Sequence, residues 1–158
     1  MAAMGETRWL DDDEMRAWEG FLAAGALLNR RIEQQLKEEA GLSHAQYEIL
    51  VRLERAPGGE LRMTELADAL LTSKSGLTYQ VTQLEKAGLV RRRACPTDVR
   101  GIFAVLTEEG RRTLHSAAPG HVALVRRLLI DHLTRDQLAV LADGLGAVGR
   151  RLRDDAGE

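Results

Sequence analysis

The stretch that decides the fold runs from Leu61 to Leu106, LRMTELADALLTSKSGLTYQVTQLEKAGLVRRRACPTDVRGIFAVL. It reads as a short strand, two helices joined by a tight turn, and a β-hairpin with a basic tip. In the first helix, Met63 to Leu70, Thr64 is placed to cap the start, and Leu66, Ala67 and Leu70 face inward. Thr72 or Ser73 can cap the second helix, because a Ser or Thr hydroxyl accepts from backbone N–H groups left free at a helix start. The second helix is expected to reach about Ala87, with Gly88 as the residue past its end.

Spacing separates the two faces of that second helix. Leu77, Val81 and Leu84 recur at helical intervals and form its buried stripe. At about 100° per residue, Ser75, Tyr79, Thr82 and Lys86 point the other way, flanked by Thr78 and Gln83. With Ser73 and Lys74 at the N-terminus, this makes a face of hydroxyl and amide groups with little acid. Such groups reach base edges and phosphates when a helix enters a DNA groove. An ordinary solvated face has the same composition, so the helix alone does not decide.

The hairpin adds to the case. Leu89–Arg93 and Ile102–Leu106 read as strands, and the turn-rich Cys95–Gly101 lies between them. Two strands alone are marginal, so they must pack on the helices. Arg93 and Arg100 bring positive charge, and Asp98, two residues before Arg100, is placed to orient its guanidinium. An Arg on a protruding tip suits phosphates or the negative minor groove. As a plain surface ion pair it would be worth little.

Taken together, the segment resembles the winged-helix repressors of the MarR family. The resemblance rests on Asp98-Val99-Arg100-Gly101 at the wing and on Leu84-Glu85-Lys86-Ala87-Gly88-Leu89-Val90-Arg91-Arg92 entering it. It is reinforced by Leu106-Thr107-Glu108-Glu109-Gly110 after the wing and Leu42–Leu50 before it. It spans about residues 14–153. It implies a mainly α fold with a small β wing, six helices, a winged helix-turn-helix lobe over 43–106, and dimerisation helices over 11–40 and 107–155. It further implies a homodimer on double-stranded, pseudo-palindromic DNA, a repressor role, and release by a small aromatic or lipophilic ligand. In the family that ligand sits between the dimer helices and the DNA-binding lobe, which here points to Trp18, Leu22, His44, Tyr47 and His115. Each of these is equally suited to the core or to an interface.

Charge distribution agrees with this reading. Residues 1–60 carry 12 acidic and 7 basic side chains, residues 61–101 carry 4 and 7, and residues 102–158 carry 8 of each. The positive charge is therefore concentrated where counterion release would drive binding to DNA. The acidic start is unlike a secretory signal, no run of 18 apolar residues appears, and a single cysteine excludes an internal disulfide. The cytoplasm is the expected location and no membrane contact is expected.

Outside the winged segment, residues 1–10 read as loose, with Trp9 and Leu10 able to fold onto the body. Asp11–Asp13 start a helix that reaches about Glu39 and carries Trp18, Phe21, Leu22, Leu28, Ile32 and Leu36 on one side. Ser43 and Gln46 form a capping box for the next helix, to about Arg55. Pro57-Gly58-Gly59 is a turn. Thr107 caps a helix that Pro119-Gly120 should kink or break. Thr134 caps the last helix, whose Leu138, Leu141, Leu145, Val148 and Leu152 form a seam that needs a partner.

No catalytic constellation is present: there is no G-x-S-x-G, no phosphate-binding glycine loop and no H-E-x-x-H, so an enzyme is not expected. The four histidines, His44, His115, His121 and His132, show no recognised metal spacing, so no metal and no cofactor are expected. Cys95, between Arg93 and Arg100, offers a redox-responsive alternative, because nearby cations favour the thiolate. A second alternative is a winged-helix module that binds another protein and reads no DNA.

Overall fold

In a computed structural model, residues 7–70 and 72–156 are described. The elements in order are α1 (Asp12–Ala40), α2 (His44–Arg55), a 3-10 turn (Pro57–Gly59), β1 (Glu60–Arg62), α3 (Met63–Leu70), α4 (Lys74–Lys86), β2 (Val90–Cys95), β3 (Asp98–Leu106), α5 (Glu108–Leu128), a second 3-10 turn (Ile130–His132) and α6 (Arg135–Ala156). Six helices and one small antiparallel sheet, with strand order β1-β3-β2, form a mainly α fold with a β wing, as expected. Of the expected loose start, residues 1–6 lie outside the described residues. Trp9 does not fold back, being 83% exposed.

Caps fix most of the boundaries. Asp11 accepts from the Glu14 N–H and Glu14 returns the bond to the Asp11 N–H, closing a capping box at the start of α1. Ser43 and Gln46 do the same for α2. Ser73 caps α4 by accepting from the Gly76 N–H at 3.0 Å. At the other end of α4, Gly88 takes φ +76. The Leu89 N–H then donates to the Leu84 carbonyl and the Gly88 N–H to that of Glu85. This paired closure needs a left-handed residue, which glycine supplies without strain. It also turns Leu89, buried beside Leu84, into the start of the wing.

The core lies in the middle of the chain. Leu36 of α1, Ile49, Leu50 and Leu53 of α2, Leu66 of α3, and Leu77, Val81 and Leu84 of α4 are almost wholly buried together with Val90 and Ala104 of the sheet. Leu114, Ala117 and Leu124 of α5 close it from the far side. The buried stripe of α4 is the one its spacing predicts.

Three expectations are corrected. First, α3 begins at Met63, so Thr64 lies inside it and does not cap it; the Glu65 carboxylate instead accepts from the Arg62 N–H at 3.3 Å. Second, the hairpin is longer than predicted. Its strands extend to Cys95 and Asp98, leaving only Pro96-Thr97 as the turn, and Cys95 is buried. Third, α5 runs unbroken through Pro119. The carbonyl that loses its partner is that of His115, and both His115 and Pro119 are exposed, so water can satisfy it. Gly120 has a packing role: a Cβ there would collide with Glu39 and come within 3.1 Å of Gln35 Nε2. A side chain there would displace the ends of these two flexible side chains of α1.

Candidate nucleic-acid interface

α4 presents its predicted outer face. Ser73, Lys74, Ser75, Thr78 and Tyr79 are all exposed, Tyr79 by 62%. Thr82 and Gln83 are half-buried at the flank. The first backbone N–H groups of α4 lie beside Lys74, an arrangement that favours an anion such as phosphate. Two of the hydroxyls are turned inward as donors: Thr78 Oγ1 donates to the Lys74 carbonyl and Thr82 Oγ1 to that of Thr78, both at 2.8 Å. Their lone pairs remain as acceptors.

The wing is clamped to this helix by Arg92, a residue to which the sequence reading assigns no role. Its guanidinium donates to Glu85 Oε1 at 3.0 Å, to Thr82 Oγ1 at 2.8 Å and to the Thr78 carbonyl at 3.2 Å. Its backbone N–H donates to Glu85 Oε2 at 2.9 Å. One arginine thus joins β2 to three successive turns of α4.

Two expectations about the wing charges change. Asp98 does not orient the Arg100 guanidinium. Its Oδ1 accepts from the Arg100 backbone N–H at 3.0 Å, and its Oδ2 lies 3.7 Å from Arg62. The Arg100 side chain is exposed and has no ion-pair partner among the described residues. Arg93 is committed elsewhere. Glu60 holds it through two hydrogen bonds, and its guanidinium lies 4.5 Å from the centre of the Phe103 ring. Charge-assisted bonding to Arg93 holds the Glu60 carboxyl below its ordinary value. Arg62 approaches the same ring at 5.6 Å. Arg93 therefore ties β2 to β1 instead of facing outward.

Between α3, α4 and the wing lies a cleft of about 380 Å³ bordered by Arg62, Thr64, Thr78, Arg92 and Arg100. Asp98 lines it too and sits beside Arg62, and Arg92 is held by Glu85, so the charge left facing a polyanion there is chiefly that of Arg100. At its edge, Cys95 Sγ is 3.4 Å from Thr97 Oγ1 and 3.6 Å from Arg62. The Thr97 hydroxyl, more than any neighbouring cation, lowers the thiol's pKa. The expected influence of Arg93 and Arg100 is replaced by that of Thr97 and, more weakly, Arg62.

The five residues proposed for a ligand do not converge. Trp18 and Leu22 stand half-exposed on α1, where Trp18 stacks on Phe21 at 6.3 Å. His115 is bonded to Glu54 at 3.2 Å, beside the bond from Arg111 to that carboxylate at 2.6 Å. His44 and Tyr47 do meet, together with His121 of α5, whose ring centre is 4.5 Å from that of Tyr47. A cleft of about 340 Å³ opens next to them between α1 and α2 on one side and α3 and α4 on the other. Only His44 of the five lines it, with Asn29, Glu33, Glu48, Arg52 and Gln80 among its polar walls. Glu48, His44 and His121 bring potential ligand atoms within 4.8 Å of one another. Linear spacing could not reveal this cluster, because His121 comes from a different helix far along the chain.

A helix-turn-helix whose second helix is exposed and latched to an arginine-tipped hairpin defines a winged-helix protein. A MarR-family sequence profile matches residues 40–101. The regulator MhqR of Bacillus subtilis is 30% identical over 109 residues, spanning 69% of this chain and 73% of its own. The chain therefore belongs to the MarR family of transcriptional regulators. Among solved structures, Sco3205 from Streptomyces coelicolor, a MarR family transcriptional regulator crystallised with DNA, is 42% identical with a TM-score of 0.90, over 94% of this chain and 92% of its own. AbsC, from the same organism, is 45% identical with a TM-score of 0.89, over 94% and 99%. Among the described residues, no helix is long and apolar enough to cross a membrane.

Proposed function

We propose that the chain is a homodimeric transcriptional repressor that binds a pseudo-palindromic double-stranded DNA site and is released by a small molecule. The observation that carries the DNA reading is the pairing of an exposed, acid-poor face on α4 with the unpaired guanidinium of Arg100 across one arginine-lined groove. In this reading α4 enters the major groove, led by Ser73, Lys74, Ser75, Thr78 and Tyr79, with Thr82 and Gln83 at its edge. Arg100 reaches the flanking minor groove or phosphates, and Asp98 shapes the tip that carries it. Arg93 falls out of the contact set. The DNA-bound Sco3205 supports the reading, and the repressor YetL of Bacillus subtilis, 30% identical over 112 residues, supports its sign.

The dimer reading rests on apolar surface that one copy leaves bare. Trp18, Phe21, Leu22 and Leu27 of α1, and Leu141, Leu145, Val148 and Leu152 of α6, are each 37% exposed or more. None of the described side chains of α6 is buried. Such stripes mark surfaces that a partner covers. A two-fold pair would set the two α4 helices against successive half-sites. The cleft beside His44 is the place for an effector, which would act by changing the separation of the α4 helices.

A gel shift with the DNA upstream of the chain's own gene tests the reading, because such regulators commonly sit beside what they control. Saturable binding that Tyr79→Ala and Arg100→Ala each weaken is the expected result. No saturable binding by the native chain would put the protein-binding alternative in its place, and variants that bound as tightly as the native chain would remove Tyr79 and Arg100 from the contact set.

A further inference from the structure

We propose that His44, Glu48 and His121 form a binding site for a divalent transition-metal ion of the zinc type. The three side chains offer two imidazole nitrogens and a carboxylate oxygen, all within 4.8 Å of one another. Two imidazoles and one carboxylate suit zinc and its borderline neighbours rather than calcium or magnesium, which take oxygen ligands. Ligand atoms around a tetrahedral zinc lie about 3.3 Å apart, given bonds of about 2.0–2.1 Å, so small side-chain rotations would complete the set. His44 and Glu48 also line the neighbouring cleft, from which water could supply a fourth ligand.

The surroundings are those of a prepared ligand set. His44 Nδ1 donates to Asn29 Oδ1 at 3.1 Å, which leaves the lone pair on Nε2, and Nε2 faces Glu48 at 3.6 Å. A ligating histidine is ordinarily fixed through its other nitrogen in this way. The backbone N–H of His44 donates to Glu33 at 3.1 Å, so a second carboxylate adds negative charge nearby. His121 supplies the independent observation. Its Nδ1 is buried and has no hydrogen-bond partner. A histidine that served only to pack against Tyr47 would normally have that atom satisfied.

The three ligands come from α2 and α5, and Asn29 and Glu33 come from α1. An ion there would tie the helix that carries the winged unit to the long helix that leads away from it. If the DNA reading holds, occupancy would change DNA affinity. That consequence rests on the proposed function, whereas the site does not.

Titration of the metal-stripped full chain with Zn²⁺, competed by a chromophoric chelator, tests the site without DNA. One ion per chain is expected. His44→Ala and His121→Ala should each weaken binding at least about 10-fold, Asn29→Ala about 10-fold through the lost orienting bond, and His132→Ala not at all. Glu48→Gln, which preserves size, serves if a histidine variant fails to fold, and Zn²⁺ should raise the melting temperature of the native chain but not of this variant. Binding unchanged in both His121→Ala and Glu48→Gln, or no binding that outcompetes the chelator, would overturn the proposal. Gel shifts with Zn²⁺ and with a chelator then read the coupling. DNA binding that ignores Zn²⁺ removes the regulatory consequence alone, and DNA binding absent under every condition removes the proposed function while the site stands.

Discussion

The winged unit and the terminal helices follow opposite rules. In the winged unit nearly every large apolar side chain on an inward face is covered, and two of its wing arginines are held: Arg92 by Glu85, Arg93 by Glu60 and Phe103. In the first half of α1 and along α6 the apolar stripes are open, and the ion pairs near the start of α1 are local, Arg16 with Asp13 and Arg8 with Glu14. One region covers its apolar faces within a single copy and the other does not. Arg91 and Arg100 are the exceptions, exposed arginines with no ion-pair partner among the described residues, and of the two it is Arg100 that stands on the wing beside the groove.

The contrast can be broken most forcefully from within the core. Leu53→Ala should cost about 2–5 kcal/mol of stability, read by chemical denaturation, because Leu53 is wholly buried among α2 neighbours. The matching substitution on the open stripe should do something different in kind. Leu145→Asp with Val148→Asp should convert a dimer to a monomer in analytical ultracentrifugation while the winged unit keeps its native circular dichroism. A fully dimeric double variant would place the interface elsewhere.

Smaller effects sharpen the comparison. Pro119→Ala should stabilise by about 1–2 kcal/mol, since it restores a donor for the His115 carbonyl in a helix that is already continuous. A destabilised variant would mean that the proline sets a bend that the packing needs. Arg92→Ala should cost about 1 kcal/mol, discounted for its partial exposure, and should speed amide exchange in β2. Arg100→Ala should leave the melting temperature unchanged and weaken DNA binding. A lost phosphate contact would lower the salt slope by about one unit, and a lost base contact would relax specificity by about 1–3 kcal/mol.

What the sequence disclosed was local. The capping pairs Ser43/Gln46 and Ser73/Gly76, the stripe Leu77-Val81-Leu84 and the glycine that ends α4 are all decided within a few residues, and each stands where its spacing places it. The features it concealed depend on distant chain. Glu60 claims Arg93 from across the sheet, and α5, packed on α1, continues through Pro119. The candidate contact face of α4 was legible because a helix period exposes it. The cluster of His44, Glu48 and His121 was not, because only packing of α2 against α5 creates it.

The four bonds from Arg92 have one further consequence. They couple hairpin and helix, so a displacement of one is passed to the other. On the proposed DNA reading, a mismatch felt by the wing would therefore be felt by α4 as well, and a signal that moves the hairpin would carry the helix with it.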